Sequence, residues 1–174
     1  MYKVLIAPFS KPLPADGGGM RPSPKDYPWW NELLAELNQN GEYRFEQIST
    51  KDQPRLTGVH KYHDNIPYSE MYKLVNDCDF FISVDTLIPH IANLARKRGV
   101  VIWGMGHPRF FGYSMNLNIL KDEKYVRPIE HTWLVWHGVP TTTECWELPG
   151  VVAKLINDNR NKLRSEERRV GKEC

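Results

Sequence analysis

The sequence predicts an α/β fold, a three-layer α/β/α domain built on a parallel sheet. Three observations carry this. Short runs dense in apolar and β-branched residues recur (YKVLIA, FFISV, GVVIW). They are continuous rather than alternating, as strands buried on both faces of a parallel sheet are. Segments with apolar residues at helical spacing fall between them, the pattern of βαβ units with right-handed crossovers. Hydrophobic residues make up 41% and aromatics 11% of the 174 residues, enough for a sizeable core.

Residues 2–7 form the first strand. Pro8 to Pro28 is irregular, with six of the thirteen prolines and the run Gly17-Gly18-Gly19. A loop of that length in a compact domain is usually functional or disordered. Asp26-Tyr27-Pro28 reads as a helix start, with Asp26 as the cap and Pro28 in the first turn. Trp30, Leu33, Leu34 and Leu37 follow at helical spacing, and Asn40-Gly41 ends the helix. Residues 43–49 alternate as a strand does, and 50–67 read as loop, with Pro54, Gly58 and Pro67. Ser69–Asn76 is a short helix, Phe80–Val84 a strand, and Asp85-Thr86 opens a helix with Leu87, Ile91, Leu94 and Ala95 on one face. Gly99–Trp103 is the next strand, 104–112 a Gly/Pro/aromatic loop, and Leu117–Leu120 a fifth strand. Residues 132–136 fit a strand or an irregular buried segment, and Glu147–Arg160 a closing helix.

Composition excludes several classes of protein. A formal net charge of +2, from 23 Lys+Arg against 21 Asp+Glu, argues against nucleic acid or an acidic membrane as partner. No apolar run approaches the ~20 residues of a membrane span. The start, MYKVLIAPFS, is too weakly apolar for a signal peptide. Cys78, Cys145 and Cys174 form no C-x-x-C pair and no disulfide framework, so a reduced, cytoplasmic protein is expected. The last eleven residues, Arg164–Cys174 (RSEERRVGKEC), carry seven charges without periodicity, as an exposed frayed end would. The string also resembles a translated sequencing adapter. Residues 1–163 are therefore expected to be one domain and 164–174 an artefactual or disordered tail.

The strongest local signal is the strand–turn–helix at 79–95, DFFISVDTLIPHIANLA. Open parallel sheets bind ligands beyond the carboxyl ends of their strands, and the free N–H groups of a helix's first turn hold anions there. Asp85 is the expected cap, because a Thr86 cap would put Pro89, which lacks an N–H, at the third helical position. His90 falls one turn into the helix and could face the same mouth. Spacing alone is equally met by an ordinary cap and a satisfied, half-buried histidine.

V-D-T-L-I-P-H-I-A resembles the D-[ST]-G-x-x-H-[LI]-A motif of glycosyltransferase family 9, the heptosyltransferase-like family. The preceding NDCDFFIS, the following GVVIWGMGHP, the opening KVLIAPFS and Lys25-Asp26-Tyr27-Pro28-Trp29 resemble further family segments in the right order, over roughly residues 2–120. The resemblance implies a Rossmann-like domain equivalent to one half of a GT-B glycosyltransferase, the half that binds the nucleotide-diphosphate sugar. It implies that Ser10 and Lys25 contact the diphosphate, that Thr86 and the amides after it cradle a phosphate, and that Asp85 and His90 contact sugar or phosphate. It implies transfer to a hydroxyl of a glycan or other acceptor, with no metal and no cofactor. Two departures stand out. Leu87 replaces the family's Gly, and the acceptor-binding half is expected to be missing, so that a homodimer mate or a partner chain would supply it. No general base is assigned. Asp16 and His107 are candidates without motif support. A non-catalytic nucleotide-sugar-binding or interaction domain, and a flavodoxin-like mononucleotide-binding domain, are the alternatives.

Other patterns are weaker. Gly17–Gly19 lacks the lysine of a phosphate-binding P-loop, and Gly104, Gly106 and Gly112 miss the dinucleotide spacing, which leaves 104–112 as the expected rim of the donor site. His60-x-x-His63 reads as surface histidines rather than a metal site. No Gly-x-Ser-x-Gly elbow is present. Trp29, Trp30, Trp133 and Trp136 are expected in the core.

Overall fold

The computed structural model describes residues 1–128, 136 and 138–164. Its elements in chain order are β1 Tyr2–Ala7, β2 Leu13–Pro14, β3 Met20–Arg21, α1 Trp30–Leu37, β4 Tyr43–Ser49, β5 Lys61–Asp64, α2 Tyr68–Asp77, β6 Phe80–Ser83, α3 Leu87–Leu94, β7 Gly99–Trp103, α4 Pro108–Phe111, β8 Leu117–Leu120 and α5 Pro149–Leu163. Six strands form one parallel sheet in the order β5-β4-β1-β6-β7-β8. Val4 sits between Phe45 and Phe80, and Ile6 between Gln47 and Ile82. The order reverses between β1 and β6, which opens a crevice at their carboxyl ends.

Alternate residues of each strand serve opposite faces. Val4, Ile6, Phe45, Phe80, Ile82, Val100 and Ile102 pack under α1 and α5, against Trp30, Leu33, Leu34, Val152 and Ile156. Leu5, Ala7, Ile48, Phe81 and Val101 pack under α2 and α3, against Val75, Ile88, Ile91 and Ala92. Helices on both faces explain why the strand sequences run continuously apolar. Lys97 is buried, and its ammonium donates to the carbonyls of Asn76 and Cys78 at 2.9 Å each, satisfying the end of α2. Gly41, at φ 62°, closes the turn that follows α1.

The structure corrects several expectations. The stretch 50–67 contains β5, paired in parallel with β4 from Glu46↔Lys61 to Ser49↔Asp64. KYHD escapes a hydrophobic pattern because an edge strand with one open face needs only His63 buried. His63 is therefore no surface histidine. Its Nε2 lies 2.9 Å from Glu46 Oε2, with both side chains almost fully buried. Trp29, not Asp26, precedes α1, without a side-chain cap. The cap of α3 is Thr86, not Asp85. Its Oγ1 accepts from Ile88 N at 3.4 Å, so the missing N–H of Pro89 is immaterial. The 8–28 stretch folds as a two-residue ladder between β2 and β3, with Gly17, Gly18 and Gly19 at positive φ at its tip.

The 104–112 loop contains the single turn α4. Trp30, Trp103 and Trp146 are core residues, whereas Trp136 lies outside the core clusters. Trp133 lies outside the described residues, as does most of 132–136. The closing helix runs on to Leu163, and Arg164 Nε lies 3.4 Å from Asp79 Oδ1. The rest of the tail, from 165, also lies outside the described residues. Cys78 and Cys145 are buried. Among the described residues no helix is long and apolar enough to cross a membrane.

Candidate functional site

At the carboxyl ends of β1, β4 and β6 the loops enclose a cavity of about 540 Å³. Ser10, Lys25, Asp85, Thr86 and His90, the five residues singled out from the sequence, all line it. They arrive on three supports, the loop after β1, the segment before α1, and the start of α3. Ser10 follows β1, which ends in buried Ala7. Its hydroxyl donates to the Asp85 carbonyl at 3.2 Å, and its carbonyl accepts from Gln53 Nε2 at 3.0 Å. Lys25 stands in the segment before α1, and its ammonium lies 3.2 Å from Asp85 Oδ2. Both side chains of that pair are about four-fifths buried, at 22% and 19% exposure. With Thr86 capping α3, the Asp85 carboxylate is released to meet Lys25. His90, on α3, has its Nδ1 2.8 Å from the Tyr113 hydroxyl, with the rings edge to face at 5.6 Å. That contact leaves Nε2 as the ring nitrogen for a ligand.

Asp26 takes a different part from the cap expected of it. Its Oδ1 accepts from Ser10 N at 2.7 Å and its Oδ2 from Ser23 N at 3.2 Å. The carboxylate thus ties the loop after β1 to the segment that carries Lys25. Burial raises its pKa to about 6 against the opposing pull of the two amides and the Lys25 charge.

The loop after β7 closes beside this pair. A Cβ on Gly106 would come within 3.0 Å of the Trp103 ring and 3.9 Å of Asp85 Oδ2. His107 and Arg109 line a second cavity of about 380 Å³ with Glu123, Arg127 and Pro128, rather than the Lys25 cavity. Trp136 stands between the two. Its ring centroid is 5.8 Å from Lys25 Nζ and 4.9 Å from Arg127 Cζ, and Arg21 holds its carbonyl at 3.1 Å. Asp16 is exposed at the tip of the β2–β3 turn and lines neither cavity. Leu87 lines the first cavity and is half exposed.

Sequence reasoning missed Ser49, Thr50, Gln53, Asn65 and Met71, which form the far wall of the first cavity. Ser49 ends β4, Thr50 and Gln53 follow it, Asn65 follows β5 and Met71 lies on α2; they come together only through strand order, so no local motif marks them. Tyr113 was missed for the same reason, and Trp136, expected in the core, lies beside Lys25 and Arg127 instead. Among the described residues no group of three or more His, Cys, Asp or Glu could hold a metal ion.

The fold is a Rossmann-like domain of the kind that makes up one half of a GT-B glycosyltransferase. It is similar to the dodecameric iron-containing heptosyltransferase TibC in complex with ADP-D-beta-D-heptose, at 19% identity and a TM-score of 0.63, over 93% of this chain and 46% of that one. A second structure of TibC, from enterotoxigenic E. coli, matches at 20% identity and a TM-score of 0.63, over 93% of this chain and 44% of that one. E. coli heptosyltransferase WaaC with ADP matches at 14% identity and a TM-score of 0.55, over 91% and 44%. The chain spans less than half the length of each of these proteins. No family model and no curated protein matches the sequence.

Proposed function

We propose that residues 1–163 form a glycosyltransferase-like domain that binds a nucleotide-diphosphate sugar and transfers its glycosyl group to an acceptor hydroxyl, in the cytoplasm. The observation that carries this reading is the convergence of the Lys25 ammonium, the Ser10 hydroxyl and the first turn of α3 on one cavity at the reversal of strand order. A lysine point charge beside the positive end of a helix is a site for a diphosphate, although here Ile88 N is held by the Thr86 cap and Pro89 brings no N–H. Displacement at the anomeric carbon leaves charge on that diphosphate, where Lys25 and the positive end of α3 stabilise it. The far wall, with Gln53 and Asn65, offers donors and acceptors for the nucleoside. Asp85 and the Nε2 of His90 remain for the sugar.

One observation favours the alternative of a domain that binds without transferring. Asp85 and His90 are the only described lining residues that could take up the acceptor's proton, and each is engaged, with Lys25 and with Tyr113.

The test is thermal unfolding of the full chain against a panel of nucleotides and nucleotide-diphosphate sugars. Ligand at a hundredfold its dissociation constant stabilises by ~2.7 kcal/mol. In a domain of this size that is a shift of about 5–10 °C. The expected outcome is a shift with one diphosphate sugar that disappears in Lys25→Ala and Asp85→Ala. No shift with any nucleotide would overturn the reading. Release of free nucleotide diphosphate in the presence of an acceptor then separates an enzyme from a binding domain.

A further inference from the structure

We propose that Asp26 is a positioning residue: by accepting from the amides of Ser10 and Ser23 it holds Lys25 in place against the cavity. The inference rests on the reading of that cavity as a diphosphate site. Asp26 does not line the cavity. It stands behind the wall, and the two amides it binds are 13 residues apart in the chain.

Each amide belongs to a segment that shapes the site. Ser10 is nearly fully buried and joins three loops at once, through its own amide to Asp26, its hydroxyl to the Asp85 carbonyl and its carbonyl to Gln53. Ser23, also nearly fully buried, receives the Lys25 amide on its hydroxyl at 3.2 Å. Lys25 therefore has its backbone fixed on both sides by one carboxylate. No helix or strand element includes residues 22–29, so these side-chain bonds do the work that ladder bonds do elsewhere. A carboxylate accepting two amides is also an arrangement an amide side chain cannot copy, because one of its two ends is a donor.

The test uses Asp26→Asn, nearly isosteric, with inorganic pyrophosphate as the probe common to every diphosphate donor. Affinity is expected to fall about tenfold in Asp26→Asn. The same substitution in a Lys25→Ala background should produce no further loss. Unchanged affinity, or an equal further loss without Lys25, would overturn the proposal. Failure of the wild-type chain to bind pyrophosphate would instead sink the diphosphate reading. The positioning role then stands or falls on a crystal structure of Asp26→Asn without ligand. The distance from Lys25 Nζ to Asp85 Oδ2, 3.2 Å in the wild type, should open to more than ~5 Å, beyond the reach of a hydrogen bond. An unmoved Lys25 would refute it.

Discussion

Lys25 and Asp85 are 60 residues apart in the chain and 3.2 Å apart in space. The pair bridges the segment before α1 and the start of α3 across the reversal of strand order, beside the bond from the Ser10 hydroxyl to the Asp85 carbonyl. Lying mostly out of water, it is screened less than a surface pair, but it carries a desolvation cost. A double-mutant cycle with Lys25→Met and Asp85→Asn, read by urea unfolding, is expected to give a coupling of ~1 kcal/mol. A coupling indistinguishable from zero would mean that the two charges meet without holding the loops together.

Leu87 is the first residue of α3, lines the cavity and is half exposed. Its side chain occupies space that a phosphate approaching the start of α3 would use. Leu87→Gly should bind pyrophosphate several-fold more tightly, while lowering stability by ~1 kcal/mol through the helix propensity of glycine. Calorimetric titration and urea unfolding read the two effects separately, and weaker binding would show that Leu87 is a contact rather than an obstruction.

Tyr113 reaches His90 from the loop after α4, and its hydroxyl sets the orientation of the imidazole. In Tyr113→Phe the ring of His90 is freed. Affinity for the nucleotide-diphosphate sugar identified by thermal shift should drop three- to tenfold, a loss of about 1 kcal/mol, with the melting temperature of the free protein little changed. Equal affinity in both proteins would remove Tyr113 from the site.

Two carboxylates, half-buried Asp26 and buried Glu46, make opposite contributions to stability against pH. Asp26 is raised from 3.8 to about 6, with burial as the cause. Between those values the folded chain binds a proton that the unfolded chain has lost, so this group stabilises the fold progressively as pH falls from about 6 to 3.8 and counts against it at neutral pH. For Glu46, burial raises the pKa, but the hydrogen bond to His63 and the Lys3 charge outweigh it and hold the carboxyl below its usual value. Its contribution is present above the unfolded value of 4.5 and is lost as pH falls below it. Urea unfolding from pH 7 to 3 should therefore show Glu46→Gln with a flatter acid limb than the wild type. Asp26→Asn should lack the gain between pH 6 and 4. Parallel curves for all three proteins would contradict both assignments.

What was legible in the sequence follows from local physics. Continuous apolar runs at 2–7, 80–83 and 99–103 appear as central strands because helices cover both faces of the sheet. Trp30, Leu33, Leu34 and Leu37 mark the face of α1 that packs on it. The helix that follows β6 at once locates the turn proposed to hold an anion, and Ser10, Lys25, Asp85, Thr86 and His90 line one cavity. β5 is not legible, because a polar edge strand owes its existence to the ladder with β4 and to the burial of one histidine against Glu46.

The choice between Asp85 and Thr86 as cap is not local either. Two side chains of similar capping strength compete for one turn, and the outcome depends on Lys25 arriving from elsewhere in the chain to pair with the one left over. Asp26 shows the same limit. Read locally it is a helix cap, but in the folded chain two buried amides lie closer to it than the first turn of α1, and an unpaired buried N–H costs more than an uncapped exposed helix end. The sequence by itself determined the layers, the strand-to-helix turn and the residue types at the cavity. Only the tertiary structure decided which carboxylate holds Lys25, which holds its backbone and which residues wall the far side, because those choices are settled by competition among partners that only the fold brings within reach.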